Sequence, residues 1–559
     1  MSRQEDYNKQ EEKGKDALND LSKDDSTWLQ LARDAKEATS LEHSLTAWQG
    51  LKEYRKVVFW SVVFSLTIIM TGYDTAFLGA LYAVPSFQRD FGHAYGDGTQ
   101  YQLTAGWQTL LNVMGFLATV IGVILDGYLS EKLGRKRVTL GALVIVSGTI
   151  FCQFFAGSLP VLLVGRMLSS VPFGIFAAAS TTYAAEICPV VLRGYLTTYV
   201  CLCWLLGQLA SSGVTYSVSG LRTHWAYKIP FAVQWTWPVP LFIFISFAPE
   251  SPWWLVRQGR YEDAERVVRR LCSSATVAAR AKESVAMMIH TIQEEKEAAT
   301  GVSYLDCFRG TDLRRTEVAC VAYGIQALVG SPLQAYTTYF FQQAGLPTDK
   351  AFVLNIGNNA VSVAGTILAW PLLSYFGRRP IYLYGLAMMT ILYFAIGFAS
   401  LGTTEASRWA QSILLIVFLF VYSPSVAATL YAIVGEVGAS NLRGKTVSLA
   451  RATAYLVDIV IGVMTPYMLN PTAWGWVGKA GFFFGGLSVL CVVWTYFRLP
   501  ETGGRTYEEL DILFQRKVPA RRFAGYRIDA YEIYRKDKSK VGDNNRQKGE
   551  EGSVYAERE

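Results

Sequence analysis

EICPVVLRG, residues 186–194, is spelled a second time in altered letters as EVGASNLRG at 436–444. Glu186 and Glu436 lie 250 residues apart, and each precedes an Arg-Gly pair that begins at Arg193 or Arg443. Two further patterns repeat. EKLGRKR (131–137), with Glu131 and Arg135, is echoed by SYFGRRP (374–380), with Arg378; Gly134 and Gly377 are 243 residues apart. APESP (248–252) is echoed by LPETG (499–503), and Glu250 and Glu501 are 251 residues apart. One near-constant offset shared by three motifs points to an internal duplication.

Between these motifs the sequence is apolar. The chain has 559 residues, of which 51% are apolar, and its mean hydropathy is +0.22. Charge gathers in residues 1–56, 249–317 and 499–559. About 20 apolar residues cross a bilayer, and twelve stretches qualify: 57–84, 104–127, 138–157, 159–187, 195–217, 228–248, 318–343, 351–376, 380–401, 409–435, 446–468 and 478–497. The expected fold is all-α: twelve transmembrane helices in two six-helix repeats. The expected units are a tail (1–56), an N-terminal bundle (57–248), a helical linker (249–317), a C-terminal bundle (318–498) and a second tail (499–559).

The first 56 residues are too polar for a cleavable signal, so the first span is read as the insertion signal. The basic loops at 131–137 and 377–379 and the linker fall on the side of both tails, which the positive-inside rule makes cytosolic. The net charge of +7 follows from that surface. No basic cluster is interleaved with a stacking platform, so nucleic acid is not an expected partner. The eight cysteines lie mostly in spans, and Cys201-x-Cys203 lacks the second pair that a zinc site needs. No nucleophile–base pair or metal cluster stands in the spans, which argues against an enzyme.

Two parallel six-helix repeats around a central cavity are a carrier's architecture. The repeated charges fall at cytosolic span ends, where Arg can cap helix C-termini and pair with Glu across helices. Glu131, Arg135, Glu186, Arg193, Glu250, Arg378, Glu436, Arg443 and Glu501 are therefore candidates for an inner gate between the halves, the alternative being loop anchors on lipid head groups.

Together these motifs resemble the sugar porters of the major facilitator superfamily over about residues 55–515. GYDTAFLGALYAVPSFQRDFG (72–92), WAYKIPFAVQWTWPVPL (225–241) and TPYMLNPTAWGW (465–476) are similar to the fungal maltose/α-glucoside permeases. The resemblance implies a plasma-membrane carrier of a disaccharide, typically coupled to protons, working as a monomer with no cofactor beyond the proton gradient.

Ionisable groups inside spans are costly and mark function. Asp74 is the only charge between Lys56 and Arg89, and Arg166 the only one between Arg137 and Glu186. Protonating Asp74 would release Arg166 and loosen the first and fourth spans; a static pair fixing helix register is the alternative. The family's proton-accepting Asp and its Arg partner match these two positions. Arg451 and Asp458, seven residues apart in the eleventh span, form a second candidate charge pair. Related permeases often carry acids where this chain has Thr71 and Thr119, which keeps a facilitative uniporter as the alternative. A non-transporting sensor is less favoured, because the C-terminal tail is short.

A sugar needs amides that donate and accept, plus aromatic surfaces. In the seventh span Gln326, Gly330 and Gln334 recur every four residues, Tyr336 joins them, and Gly330 with Pro332 predicts a helix break. Asn355, Asn358 and Asn359 cluster in the eighth span. Gln208 and Tyr431 match sugar-contact regions of the family. The linker is expected to form short helices that latch the two halves, the 26–51 stretch to lie on the membrane surface, and the tail after about 517 to be disordered.

Overall fold

The computed structural model describes residues 47–95, 100–272, 281–299, 303–329, 331–439, 442–503, 505 and 507–526. The N-terminal half comprises α1 (Arg55–Leu81), α2 (Ala105–Leu133), α3 (Arg135–Phe154), α4 (Leu159–Ile187), α5 (Val190–Val218) and α6 (Trp225–Phe247). The C-terminal half comprises α7 (Gly310–Leu328), α8 (Thr348–Phe376), α9 (Arg378–Ala399), α10 (Glu405–Val437), α11 (Arg443–Leu469) and α12 (Ala480–Arg498). Among the described residues, eleven helices are long and apolar enough to cross a bilayer. The remaining one, α5, has 29 residues, several of whose side chains lie outside the described residues. A two-stranded antiparallel hairpin, His93–Tyr95 with Gln100–Gln102, is the one β element among these residues.

The duplication is visible in the packing. α1 lies against α5, α2 against α4 and α3 against α6, and the same order recurs as α7 with α11, α8 with α10 and α9 with α12. Without a hydrophobic drive inside lipid, such crossings rely on small residues that let backbones approach. Gly122 of α2 and Gly174 of α4 meet this way, each against backbone of the facing helix. The halves touch through α5 with α8 and α2 with α11.

The two ends of the bundle differ. At the end away from the linker, one apolar core spans both halves and contains Phe77, Tyr82, Leu103, Tyr336, Tyr339 and Met468. Tyr82 stacks on Tyr336 at 5.8 Å, and Tyr339 donates to Gln102 at 3.2 Å. Asn470 donates to the Leu103 carbonyl at 2.7 Å. At the linker end the N-terminal half has its own core of Val57, Phe64, Val138, Tyr183 and Ile245. The molecule is therefore sealed at the far end and divided at the linker end.

Among the described residues, the linker contacts follow that division instead of latching the halves together. Trp254 and Gln258 donate to the Glu131 carbonyl at 2.8 and 3.1 Å, and Arg270 donates to the Phe247 carbonyl at 2.8 Å. These contacts hold helices Pro252–Arg257 and Tyr261–Leu271 on the N-terminal half. The turn Tyr304–Phe308 instead packs Cys307 against Ala439 and Leu442 of the C-terminal half.

The start of the tail also departs from expectation, while residues 527–559 lie outside the described residues. Residues 518–526 are packed: Phe523 is buried against Phe514, and Arg314 donates to the Val518 carbonyl at 2.8 Å. Aromatic residues and the hydrogen bond from Arg314 hold this segment under α7, which composition alone does not reveal. Of the 26–51 stretch, the described part forms helix Ala47–Glu53, with Gly50 near Leu192 of α5; the rest lies outside the described residues.

Candidate functional site

Asp74 stands in the second half of α1 and is 3% exposed; Arg166, two turns into α4, is 9% exposed. Arg166 Nη1 pairs with Asp74 Oδ2. Two charges removed from solvent cost several kcal/mol each, and mutual attraction offsets this only at close range. The room for the guanidinium comes from α2, where Gly115 has no side chain; a Cβ there would lie 3.1 Å from Arg166 Nε. Among the described residues that Nε has no hydrogen-bond partner. A small cavity beside the pair is lined by Phe77, Leu111, Gln153, Leu162 and Phe231. From the C-terminal half, Tyr336 approaches Arg166 and lies beside Asn112 of α2. The intramembrane pair thus borders the far-end seal.

The amide candidates divide into two groups. At the crossing of α5 and α8, Asn355 and Asn359 donate to Ser212 Oγ at 2.9 and 2.7 Å. Nearby in these helices Gln208 Oε1, Ser211 Oγ and both amide atoms of Asn358 are buried without a partner among the described residues. Buried polar atoms are nearly always satisfied, so this cluster suits a ligand rich in hydroxyls. Ser212 is a contact that the sequence reading lacks. Its signal is its place one turn after Gln208.

The second group lies within the C-terminal half. Gln326 of α7 is beside Tyr422 of α10. α7 ends at Leu328, and the freed Val329 carbonyl accepts from the Tyr393 hydroxyl. Helix resumes at Ser331–Ala335 and again at Thr337–Gln343. This break interrupts the four-residue register, so Gln334 does not share one continuous helical face with Gln326. Gln334 is half-buried beyond the break, and Tyr336 is buried in the seal. Tyr431 is 47% exposed and meets Tyr323 edge-on at 6.0 Å. Arg451 is hydrogen-bonded to Tyr323 and faces Tyr431 and Tyr455, while Asp458 neighbours Tyr422 and Tyr455. Phenols surround Arg451, and Tyr455 lies beside both Arg451 and Asp458.

The repeated motifs build two matching charge clusters. Gly134 and Gly377 have φ of +92° and +76°, a region that side chains other than glycine's rarely enter. Each opens the helix that follows, and a carboxylate caps it. Lys136 N donates to Glu250 at 3.1 Å; Arg378 N and Arg379 N donate to Glu501 at 3.0 Å each. Arg135 reaches Glu186 at 3.4 Å and Asp126 at 3.6 Å, and Arg378 reaches Glu436 at 2.8 Å. Arg257 adds a 3.0 Å contact to Glu186.

These pairs close within a half, so the expected inter-half gate is not what they form in this state. Glu131 is a further correction: its side chain is exposed, and its backbone carbonyl makes the linker contacts. The side chains of Arg193 and Arg443 lie outside the described residues. Burial pushes the Glu250 carboxyl above the ordinary glutamate value, against the pull of the Lys136 and Ser251 N–H groups. Acidification therefore neutralises Glu250 ahead of an exposed glutamate.

Gly134→Ala places a Cβ 2.5 Å from Glu250 Oε2 and adds backbone strain of about 1–3 kcal/mol. The expected result is a lower melting temperature of the purified protein in detergent. Gly141→Ala, two turns further along α3, adds a Cβ that meets open space and is expected to leave melting unchanged.

Among the described residues no cluster of His, Cys, Asp and Glu is arranged to hold a metal. The family model described as "Sugar (and other) transporter" matches residues 60–514. The general alpha-glucoside permease of Saccharomyces cerevisiae is 39% identical over 503 residues, covering 89% of this chain and 82% of the permease. A maltose permease of the same organism is 37% identical over 504 residues, with the same coverage. The xylose transporter XylE from E. coli, in an inward-open conformation, superimposes with a TM-score of 0.66 at 21% identity, covering 82% of this chain and 99% of XylE. These relatives are permeases and transporters, and the chain is a multi-pass membrane protein of the major facilitator fold that belongs to the sugar transporter family.

Proposed function

We propose that this protein imports an α-glucoside of disaccharide size together with protons, by alternating access, across the plasma membrane. It works as a monomer with both termini cytosolic, and needs no cofactor beyond the proton gradient. The observation that carries this reading is the buried Asp74–Arg166 pair next to the far-end seal. A charge pair that close to a moving contact gives proton binding a direct mechanical consequence. When Asp74 is neutral, Arg166 loses its counter-charge and the packing of α1 on α4 relaxes. Deprotonation toward the cytosol restores the pair and resets the carrier.

The relatives' names, general alpha-glucoside permease and maltose permease, support the substrate class. The cluster of Gln208, Asn355, Asn358 and Asn359 supports a polyol as cargo. A facilitative reading draws on Thr71 and Thr119; Thr119 is hydrogen-bonded back to the Gly115 carbonyl at 2.9 Å and offers no proton-binding group.

Uptake of radiolabelled maltose, sucrose, trehalose and glucose in a host lacking its own carriers tests both. Accumulation of a disaccharide that a protonophore abolishes is the expected result. Protonophore-insensitive equilibration assigns facilitation instead. Asn359→Ala removes a hydrogen bond of about 0.5–1.5 kcal/mol and is expected to raise KM roughly 2- to 10-fold. An unchanged KM removes Asn359 from the site.

A further inference from the structure

Where α1 enters the bundle at the linker end, Arg55, Lys56, Phe59 and Trp60 line a groove with Arg270 of the linker helix Tyr261–Leu271. The groove is open to solvent on one side and has a volume of about 400 Å³. Three of its five lining side chains are cationic and none is acidic. Two of the three acids of the linker helix are engaged elsewhere: Asp263 pairs with Arg260 and Arg266, and Glu265 with Arg269. Arg270 spends one N–H on the Phe247 carbonyl and has Lys136 as a like-charged neighbour.

Cations gathered around one groove repel one another, and an anion between them removes that cost. The remaining wall is aromatic. Phe59 is 49% exposed and meets Trp60 edge-on at 5.0 Å, on the first turns of a spanning helix. Aromatic rings at that depth mark the membrane–water interface. Charge and position together fit a phosphate that is attached to acyl chains.

We propose that this groove binds the head group of an anionic phospholipid from the leaflet on the linker side, the phosphate lying among Arg55, Lys56 and Arg270 and the acyl chains starting along Phe59. Lys56 already donates to the Cys272 carbonyl at 3.3 Å, so a lipid here clips the linker helix to α1 and holds the linker on the N-terminal half. The site is independent of which solute the carrier moves.

The test uses the full chain in nanodiscs of phosphatidylcholine alone or mixed with phosphatidylinositol, with bound lipid read by native mass spectrometry. The wild-type protein is expected to retain phosphatidylinositol over phosphatidylcholine. Each arginine near an anionic surface contributes about a fivefold factor, so Arg55→Ala with Arg270→Ala is expected to weaken that retention roughly 25-fold. Both residues are exposed, and Arg270→Lys, which keeps the charge, is expected to retain most of the preference. Arg516→Ala alters an exposed cation on the C-terminal half and is expected to change nothing. Equal retention by the double variant, or an equal loss in Arg516→Ala, overturns the proposal. Saturation by soluble inositol phosphate in phosphatidylcholine discs, at the affinity of the lipid, also overturns it by assigning the groove to a free anion.

Discussion

Replacing Asp74 by Asn is expected to abolish sugar accumulation against a gradient while leaving exchange of sugar across the membrane intact. Asn is nearly isosteric with Asp but cannot carry the charge that pairs with Arg166. It mimics the protonated carboxyl permanently, so the carrier still rocks when loaded but no longer ties sugar to a proton. The size of the effect follows from the driving force. One charge moved through 100 mV gains about 2.3 kcal/mol, which supports roughly 50-fold accumulation. The wild-type protein is expected to approach that ratio at such a potential, and Asp74→Asn to stay near unity. Arg166→Ala leaves Asp74 buried without its counter-charge, and its expected loss extends to exchange as well. Equal accumulation by Asp74→Asn and wild type contradicts the assignment.

Gly79→Val is expected to hold the far end open. The Cβ it adds overlaps the Ala335 carbonyl across the boundary between the halves. Overpacking of this kind costs about 1–3 kcal/mol, a shift of roughly 5- to 150-fold in the balance between states. Because the clash exists only when the halves meet, the variant folds but closes less often. In a Gln342→Cys background, labelling by a membrane-impermeant maleimide is expected to rise, since Gln342 otherwise lies half-buried at the seal and donates to the Ala83 carbonyl at 3.3 Å. Transport is expected to fall in proportion. Gly122→Val, whose clash with Val171 lies inside the N-terminal half, is expected to reduce folded yield without that rise. Unchanged labelling and transport in Gly79→Val rule out the seal as a moving contact.

The duplicated motifs and the apolar spans made the fold legible, because bilayer crossing imposes one length and the repeat imposes one order. The positions of Asp74 and Arg166 were legible because a lone charge in a span is costly and stands out. Whether the motif charges join the halves was not legible. Arg135 and Glu186 would show the same letters whether paired within a half or across the boundary, and a sequence does not record which state a carrier occupies. Spacing sets Gln326 and Gln334 on one helical face, yet the helix that spacing assumes ends between them, at Leu328. The packed segment around Phe523 is not legible in the sequence, because two aromatic rings in a polar stretch carry too little compositional signal.

Proton movement accompanying sugar entry tests the account most directly. In de-energised cells that express this carrier alone, addition of maltose or another accepted α-glucoside is expected to make the unbuffered medium transiently alkaline. The alkalinisation should scale with sugar uptake and vanish in Asp74→Asn. Sugar entry at the wild-type rate with no change in external pH contradicts proton coupling through Asp74 and assigns the protein to facilitated transport.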